Sequence, residues 1–212
     1  MTDVVQDIIT PDTTYLGQKY RDLAGSGMLL PQDDSSAQQV PEALNAMGYS
    51  EIPAVSVLCP DDENVKLMVN EMLAVWNQKL GSYFNMEPLP VAELQKRVES
   101  GNYQIALYRL RPNGDGPMRL LSSFSSSSSS NPAFLADPAY DAILNQAKML
   151  GGMEAVDLYR QAESYLNEQG IFYPLYYESR YYACGKDVTG VVFHPYNGGV
   201  DFIGAGKGTV NG

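Results

Sequence analysis

Between Pro53 and Leu110 the sequence alternates twice between a short apolar run and a longer segment of helical period. Pro53 to Leu58 (PAVSVL) has the composition of a strand buried on both faces. Asp61-Asp62-Glu63 then puts negative charge where a helix dipole favours it. Val65, Met68, Val69, Met72, Leu73, Trp76 and Leu80 follow at three- and four-residue steps, the apolar face of a helix closed by Gly81. Tyr83 to Leu89 reads as a second strand, Val91 to Ser100 as a second helix with Gly101 just past its end, and Tyr103 to Leu110 (YQIALYRL) as a third strand. Connections this short in a β-α-β-α-β order predict an α/β fold, with a mixed, mostly parallel sheet flanked by helices. Ligands of such sheets sit outside the carboxyl ends of the strands. Here those ends are Cys59-Pro60-Asp61 and Arg109 to Asp115.

The flanking sequence is less regular. Residues 1–40 read as an irregular segment, with a short helix over Asp3 to Ile9 stopped by Thr10-Pro11-Asp12 and loops at Gly25-Ser26-Gly27 and Gln32 to Gln39. Glu42 to Met47 reads as a helix capped by Gly48. In the second half, Pro117 to Phe124 is a short helix, Ser125 to Ser130 a surface loop, and Asp137 to Leu150 and Met153 to Gln169 two helices broken by Gly151-Gly152. Phe172 to Ser179 and Arg180 to Cys184 read as tyrosine-rich strands, Val200 to Ile203 as a short strand, and residues 204–212 as a flexible tail.

Charge and cysteine usage exclude several functions. The chain carries 14 Lys+Arg against 25 Asp+Glu, a net charge of −11, and phosphate neutralisation needs clustered cations, so no nucleic-acid partner is expected. The apolar runs fall well short of the ~20 residues a membrane helix needs. Met1-Thr2-Asp3 opens without the basic stretch of a signal peptide. Two cysteines, Cys59 and Cys184, cannot build a disulfide framework or a four-cysteine zinc site; both are expected as small buried side chains, with a single disulfide in an oxidising compartment as the alternative. A single histidine, His194, leaves no His-rich metal site and weakens any His-based catalytic pair. No metal or cofactor is expected, and composition leans against several enzyme classes. The segment GAGKGT at 204–209 is like a phosphate-binding loop of nucleotide kinases. It lacks the leading glycine, where Asp201 stands, and only three residues follow Thr209 where a helix is required.

Two features remain as candidates for binding. Tyr173, Tyr176, Tyr177, Tyr181 and Tyr182 are expected to be mainly structural, with a ligand wall as the alternative. Arg109, Arg111, Asn113 and Asp115 stand together at the end of the third strand, with Tyr108 beside them, where a solute would meet polar groups and an aromatic wall.

Several of these segments together carry a family likeness. They are the helix ending in Gly48-Tyr49, the strand Val55 to Cys59, the helix with Trp76 and Leu80-Gly81, the strand YQIALYRL, Pro117 with Leu120-Leu121, and Asn131 before Tyr140-Asp141. Most specific is Leu158 to Val191, a helix of the form LYxxAExxLxxxG followed by IFYPLYY and a closing V-x-G-V. Over residues 41–203 this resembles the carboxy-terminal lobe of the family 5 extracytoplasmic solute-binding proteins, the oligopeptide- and dipeptide-binding components of ABC importers. The resemblance implies a lobe of the type II periplasmic-binding-protein fold, part of a longer two-lobed protein whose first lobe is missing here. It also implies a secreted or lipid-anchored monomer outside the cytoplasm, a peptide or other small solute as ligand, a membrane permease as partner, and no catalysis. In peptide-binding members the third strand runs into a W-x-x-D-x-x-x-P turn whose aspartate pairs with the peptide ammonium. Counting back from Pro117, Leu110 falls at the tryptophan and Asn113 at the aspartate. Two readings stay open: Asp115 substitutes for the missing charge, or Arg109 and Arg111 make the site cationic and favour a carboxylate or other anion. A sugar or a metal chelate is a further alternative within the family.

Overall fold

The computed structural model describes residues 7–25, 35–50, 53–80, 84–111, 114–178, 182–194 and 199–208. In chain order the elements are β1 (Thr14–Tyr15), β2 (Gln18–Lys19), α1 (Tyr20–Ala24), α2 (Ser35–Ala46), β3 (Val55–Pro60), α3 (Glu63–Leu80), β4 (Phe84–Leu89), α4 (Val91–Glu99) and β5 (Ile105–Ala106). After them come α5 (Pro117–Leu121) with a 3-10 turn over Ser122–Phe124, α6 (Pro138–Leu150), α7 (Glu154–Glu168), β6 (Val188–Thr189), β7 (Val192–Phe193), β8 (Val200–Asp201) and β9 (Gly206–Lys207). The chain divides into two compact units, one made of Met1–Leu30, Arg111–Ser129 and Leu135–Gly212, the other of Pro31–Leu110 and Ser130–Phe134.

The second of these units holds the expected parallel sheet, in the order β4-β3-β5. Val55 pairs with Phe84 through to Pro60 with Leu89 on one side of β3, and Val57 and Leu58 pair with Ile105 and Ala106 on the other. Successive strand side chains point to opposite faces, and the core divides accordingly. Val57 and Cys59 pack with Val69 and Leu73 of α3, whereas Leu58 packs with Leu94 and Val98 of α4. Leu58 and Cys59 are both 0% exposed, so the central strand is covered on both faces, as its unbroken apolar run requires. On the α4 side a polar network closes the sheet. Glu87 accepts from Ser56 Oγ at 2.7 Å and pairs with Arg97 at 2.7 Å, while Arg97 Nε donates to the Asn102 carbonyl at 2.8 Å. These bonds hold the Glu87 carboxyl below the usual carboxylate range.

The first unit is built on the pair α6 and α7. Tyr140, Leu144 and Ala147 form the buried stripe of α6. On α7 the residues of the LYxxAExxL pattern, Leu158, Tyr159, Ala162, Glu163 and Leu166, are all buried, so the motif is the inner face of one helix. Its glycine, Gly170, has φ 64° just past the helix end, and Ile171 N donates back to the Leu166 carbonyl at 2.8 Å. The glycine of the closing V-x-G-V pattern is also steric: Gly190 has φ 72°, and a Cβ there would lie 1.9 Å from the Gly204 carbonyl oxygen.

Several sequence expectations need correction. The helix placed over Asp3 to Ile9 lies partly outside the described residues, and Asp7 to Ile9 are not helical. Within the first segment, Ile8, Ile9, Tyr20 and Ala24 are buried in the first unit. Helix α2 starts at Ser35, inside the stretch Gln32 to Gln39 read as loop, and runs through Pro41. The third strand is short, since only Ile105 and Ala106 pair in the ladder. Among the described residues of 172–184 there is no strand: Phe172 instead packs on Phe124, ring centroids 5.5 Å apart, and Pro174 has no N–H to give a ladder. Cys184 is exposed where a buried side chain was expected; Cys59 is buried, and both thiols are free. Gly81 lies outside the described residues.

Candidate functional site

The carboxyl end of β3 delivers Pro60-Asp61-Asp62 to the start of α3. Asp61 N donates to the Leu89 carbonyl at 2.8 Å, which ties this end to the end of β4. Lys66, one turn into the helix, bonds Asp61 at 2.8 Å and Glu63 at 2.7 Å, and these bonds hold its ammonium above the usual lysine range.

Beyond β5, Leu107 N still donates to the Leu58 carbonyl at 2.7 Å. Tyr108 comes next, half-buried against Leu58, Leu94 and Val98, and burial with the nearby Glu99 pushes its hydroxyl pKa up. It therefore acts partly as packing. Arg109 is exposed on the same unit. Arg111 and Asp115, both exposed, belong to the other unit, and Asn113 lies outside the described residues.

Asp115 is occupied by its own fold. Oδ1 accepts from Thr14 N and from Gly116 N, both at 2.7 Å, and Oδ2 accepts from Thr14 Oγ1. This carboxylate fastens the β1-β2 hairpin to the turn that leads through Gly116 into α5, where Pro117 takes the first helical position that suits its fixed φ. Beside it is a shallow depression of about 270 Å³, bordered by Thr14, Tyr15, Met118, Arg119 and Tyr159. Tyr15 stands edge-on to Tyr159 with ring centroids 5.4 Å apart, and its hydroxyl donates to the Gly152 carbonyl at 3.1 Å. Sequence reasoning missed Thr14 because its partner lies 101 residues away.

Of the tyrosine group, Tyr173, Tyr176 and Tyr182 are exposed, Tyr181 lies outside the described residues, and Tyr177 is structural: its hydroxyl donates to the Asp7 carbonyl. In GAGKGT, Gly206 and Lys207 pair in antiparallel register with Thr189 and Val188, a hairpin strand in place of a phosphate loop.

No family model matches the chain. It is 24% identical over 183 residues to the dipeptide-binding protein DppE of Bacillus subtilis, a match covering 84% of this chain and 33% of that protein. To a dipeptide-binding protein of Pseudomonas aeruginosa it is 25% identical over 173 residues, covering 79% of this chain and 32% of the relative. The chain thus spans about a third of the length of these curated relatives. Among solved structures, the substrate-binding domain of an oligopeptide ABC transporter from Bacillus anthracis aligns over 97% of this chain and 40% of its own, with a TM-score of 0.78 at 22% identity. That likeness gives the fold, a lobe of the type II periplasmic-binding-protein class. With the curated sequence matches, it makes the chain similar to dipeptide- and oligopeptide-binding proteins over most of its length.

Proposed function

We propose that the chain forms the ligand-binding lobe of an extracytoplasmic substrate-binding protein of an ABC importer, that its solute is a peptide, and that the loaded protein delivers this solute to a membrane permease. The observation that carries the reading is the match to two dipeptide-binding relatives along most of this chain and only a third of theirs. A lobe of that extent supplies one side of a cleft. Ligand then bridges two lobes, and its contacts to both favour the closed form. The protein acts outside the cytoplasm, as a monomer, and transforms nothing.

On this lobe the candidate ligand groups are Tyr108, Arg109, Arg111, Asn113 and Asp115. Both oxygens of Asp115 already accept from Thr14 and Gly116, which leaves an incoming ammonium fewer acceptor positions on this carboxylate. That observation favours a second reading, in which Arg109 and Arg111 recognise a carboxylate or another anionic group of the solute.

Isothermal titration of the complete protein separates the two. Unmodified dipeptides and tetrapeptides, their N-acetylated forms, and their C-terminal amides form the panel. Peptide recognition predicts micromolar or tighter binding of at least one free peptide, lost on acetylation if the ammonium is read and on amidation if the carboxylate is read. Arg111→Ala should weaken binding tenfold or more in the carboxylate case. Absence of binding across the panel overturns peptide as the ligand.

A further inference from the structure

Glu163 is 1% exposed, yet it is an acid in the middle of α7 with no cation bonded to it among the described residues. What it holds is the segment that leads into α1. Oε2 accepts from Ile8 N at 3.2 Å and Ile9 N at 3.1 Å, and Oε1 accepts from the Tyr20 hydroxyl at 2.9 Å. One side chain therefore grips both ends of the stretch from Asp7 to α1, about 150 residues distant in sequence. Midway along this stretch, Thr14 holds Asp115 in the turn before α5.

We propose that Glu163 is a proton-linked latch: docking of the Asp7–Ala24 segment onto α7 carries a proton with it, and the segment holds more tightly as pH falls. Undocking the segment removes Ile8, Ile9 and Tyr20 and returns the carboxyl to water. The bonds survive protonation. A proton from solvent on Oε1 turns the Tyr20 hydroxyl from donor to acceptor, while Oε2, now a carbonyl oxygen, keeps both amide bonds. Only the cost of burying a charge is removed.

The surroundings favour the neutral acid. Burial is the largest influence and pushes the Glu163 carboxyl up to about 7, with the negative Asp7 adding to it; the amide and Tyr20 bonds pull the other way without cancelling it. The facing groups come from several packed elements. Tyr20 stands on α1 with Arg21 next to it and near Tyr177, Asp7 and Tyr177 lie in the flanking loops, Tyr140 faces it from α6, and Arg160 lies on α7 near Tyr20. The three tyrosine hydroxyls are all raised by burial and stay neutral through this range. Glu163 therefore gains a proton as pH falls from 8 to 5.

Hydrogen exchange on the full chain reads the latch directly. Protection of the Ile8 and Ile9 amides, corrected for intrinsic exchange, is expected to rise on the order of 50-fold from pH 8 to pH 5. Glu163→Gln, which presents a carbonyl to the amides and a donor to Tyr20, should keep the protection and lose the slope. Protection independent of pH in the native protein, or an unchanged slope in the variant, overturns the latch. If the variant does not fold, the carbon-13 shift of the Glu163 carboxyl in the native protein decides: a midpoint near 7 supports it and one below 5 overturns it.

Discussion

At the scale of single residues, Asp115 has a contact within the fold that its sequence reading did not include. From its place after the third strand it reads as a ligand group, and its residue type supports that reading equally well. In the fold it closes a loop on Thr14, and no local pattern announces a partner 101 positions upstream. Replacing it by alanine leaves Thr14 N and Gly116 N without their acceptor at a solvent-exposed turn. The expected cost is on the order of 1 kcal/mol, at the low end for charged hydrogen bonds because water replaces the lost acceptor. Exchange at the Thr14 amide should accelerate about tenfold in Asp115→Ala while the amides of β3 are unaffected. Equal acceleration in both places would mean that the carboxylate supports the whole chain and not the hairpin.

At the scale of elements, what was legible depended on whether a segment carries its own period. Helices α3, α4, α6 and α7 repeat apolar residues at three and four positions, and each appears within a few residues of its expected bounds. Strand β3 was legible because burial on both faces leaves an unbroken apolar run. The run Phe172 to Cys184 has strand-like composition, but a strand needs a neighbour to pair with, and among its described residues there is none. The β1-β2 hairpin failed in the opposite direction. Thr14-Tyr15 and Gln18-Lys19 are too short to show alternation, and the residues between them, Leu16 and Gly17, do not read as a turn. Both have positive φ, 51° and 77°, the two-residue turn whose twist matches the strands and which favours Asn-Gly. Leucine pays for that conformation with no evident packing return, being 53% exposed. Leu16→Asn should therefore raise stability by roughly 0.5–1 kcal/mol, read as a higher denaturant midpoint at unchanged slope. A lower midpoint would show that the leucine side chain is needed where it stands.

At the scale of the whole molecule, the titrating groups oppose one another, and their balance fixes where the chain is most stable. Glu87 and Asp137 are held below the usual carboxylate range, the first by Ser56 and Arg97, the second by Tyr165 and the amide of Ala139. Each stabilises the fold when ionised, so that contribution is present above the ordinary carboxylate pKa and is lost as pH falls through the folded value. Glu163 has the reverse sign. Its folded pKa of about 7 lies above the ordinary 4.5, so the native state binds more protons than the unfolded chain between those values. Stability from this group is complete below the lower value and declines as pH rises through the upper one, by an amount on the order of 1–3 kcal/mol. The two limbs meet at mildly acidic pH, and the melting temperature should peak at roughly pH 5–6 and fall by several degrees toward pH 7.5. In Glu163→Gln the upper limb should flatten while the acid limb, set by Glu87 and Asp137 elsewhere in the fold, keeps its shape. A native protein that gains stability steadily from pH 5 to 7.5 would mean that Glu163 is ionised in the fold at little cost, and the latch would lose its driving force along with the upper limb.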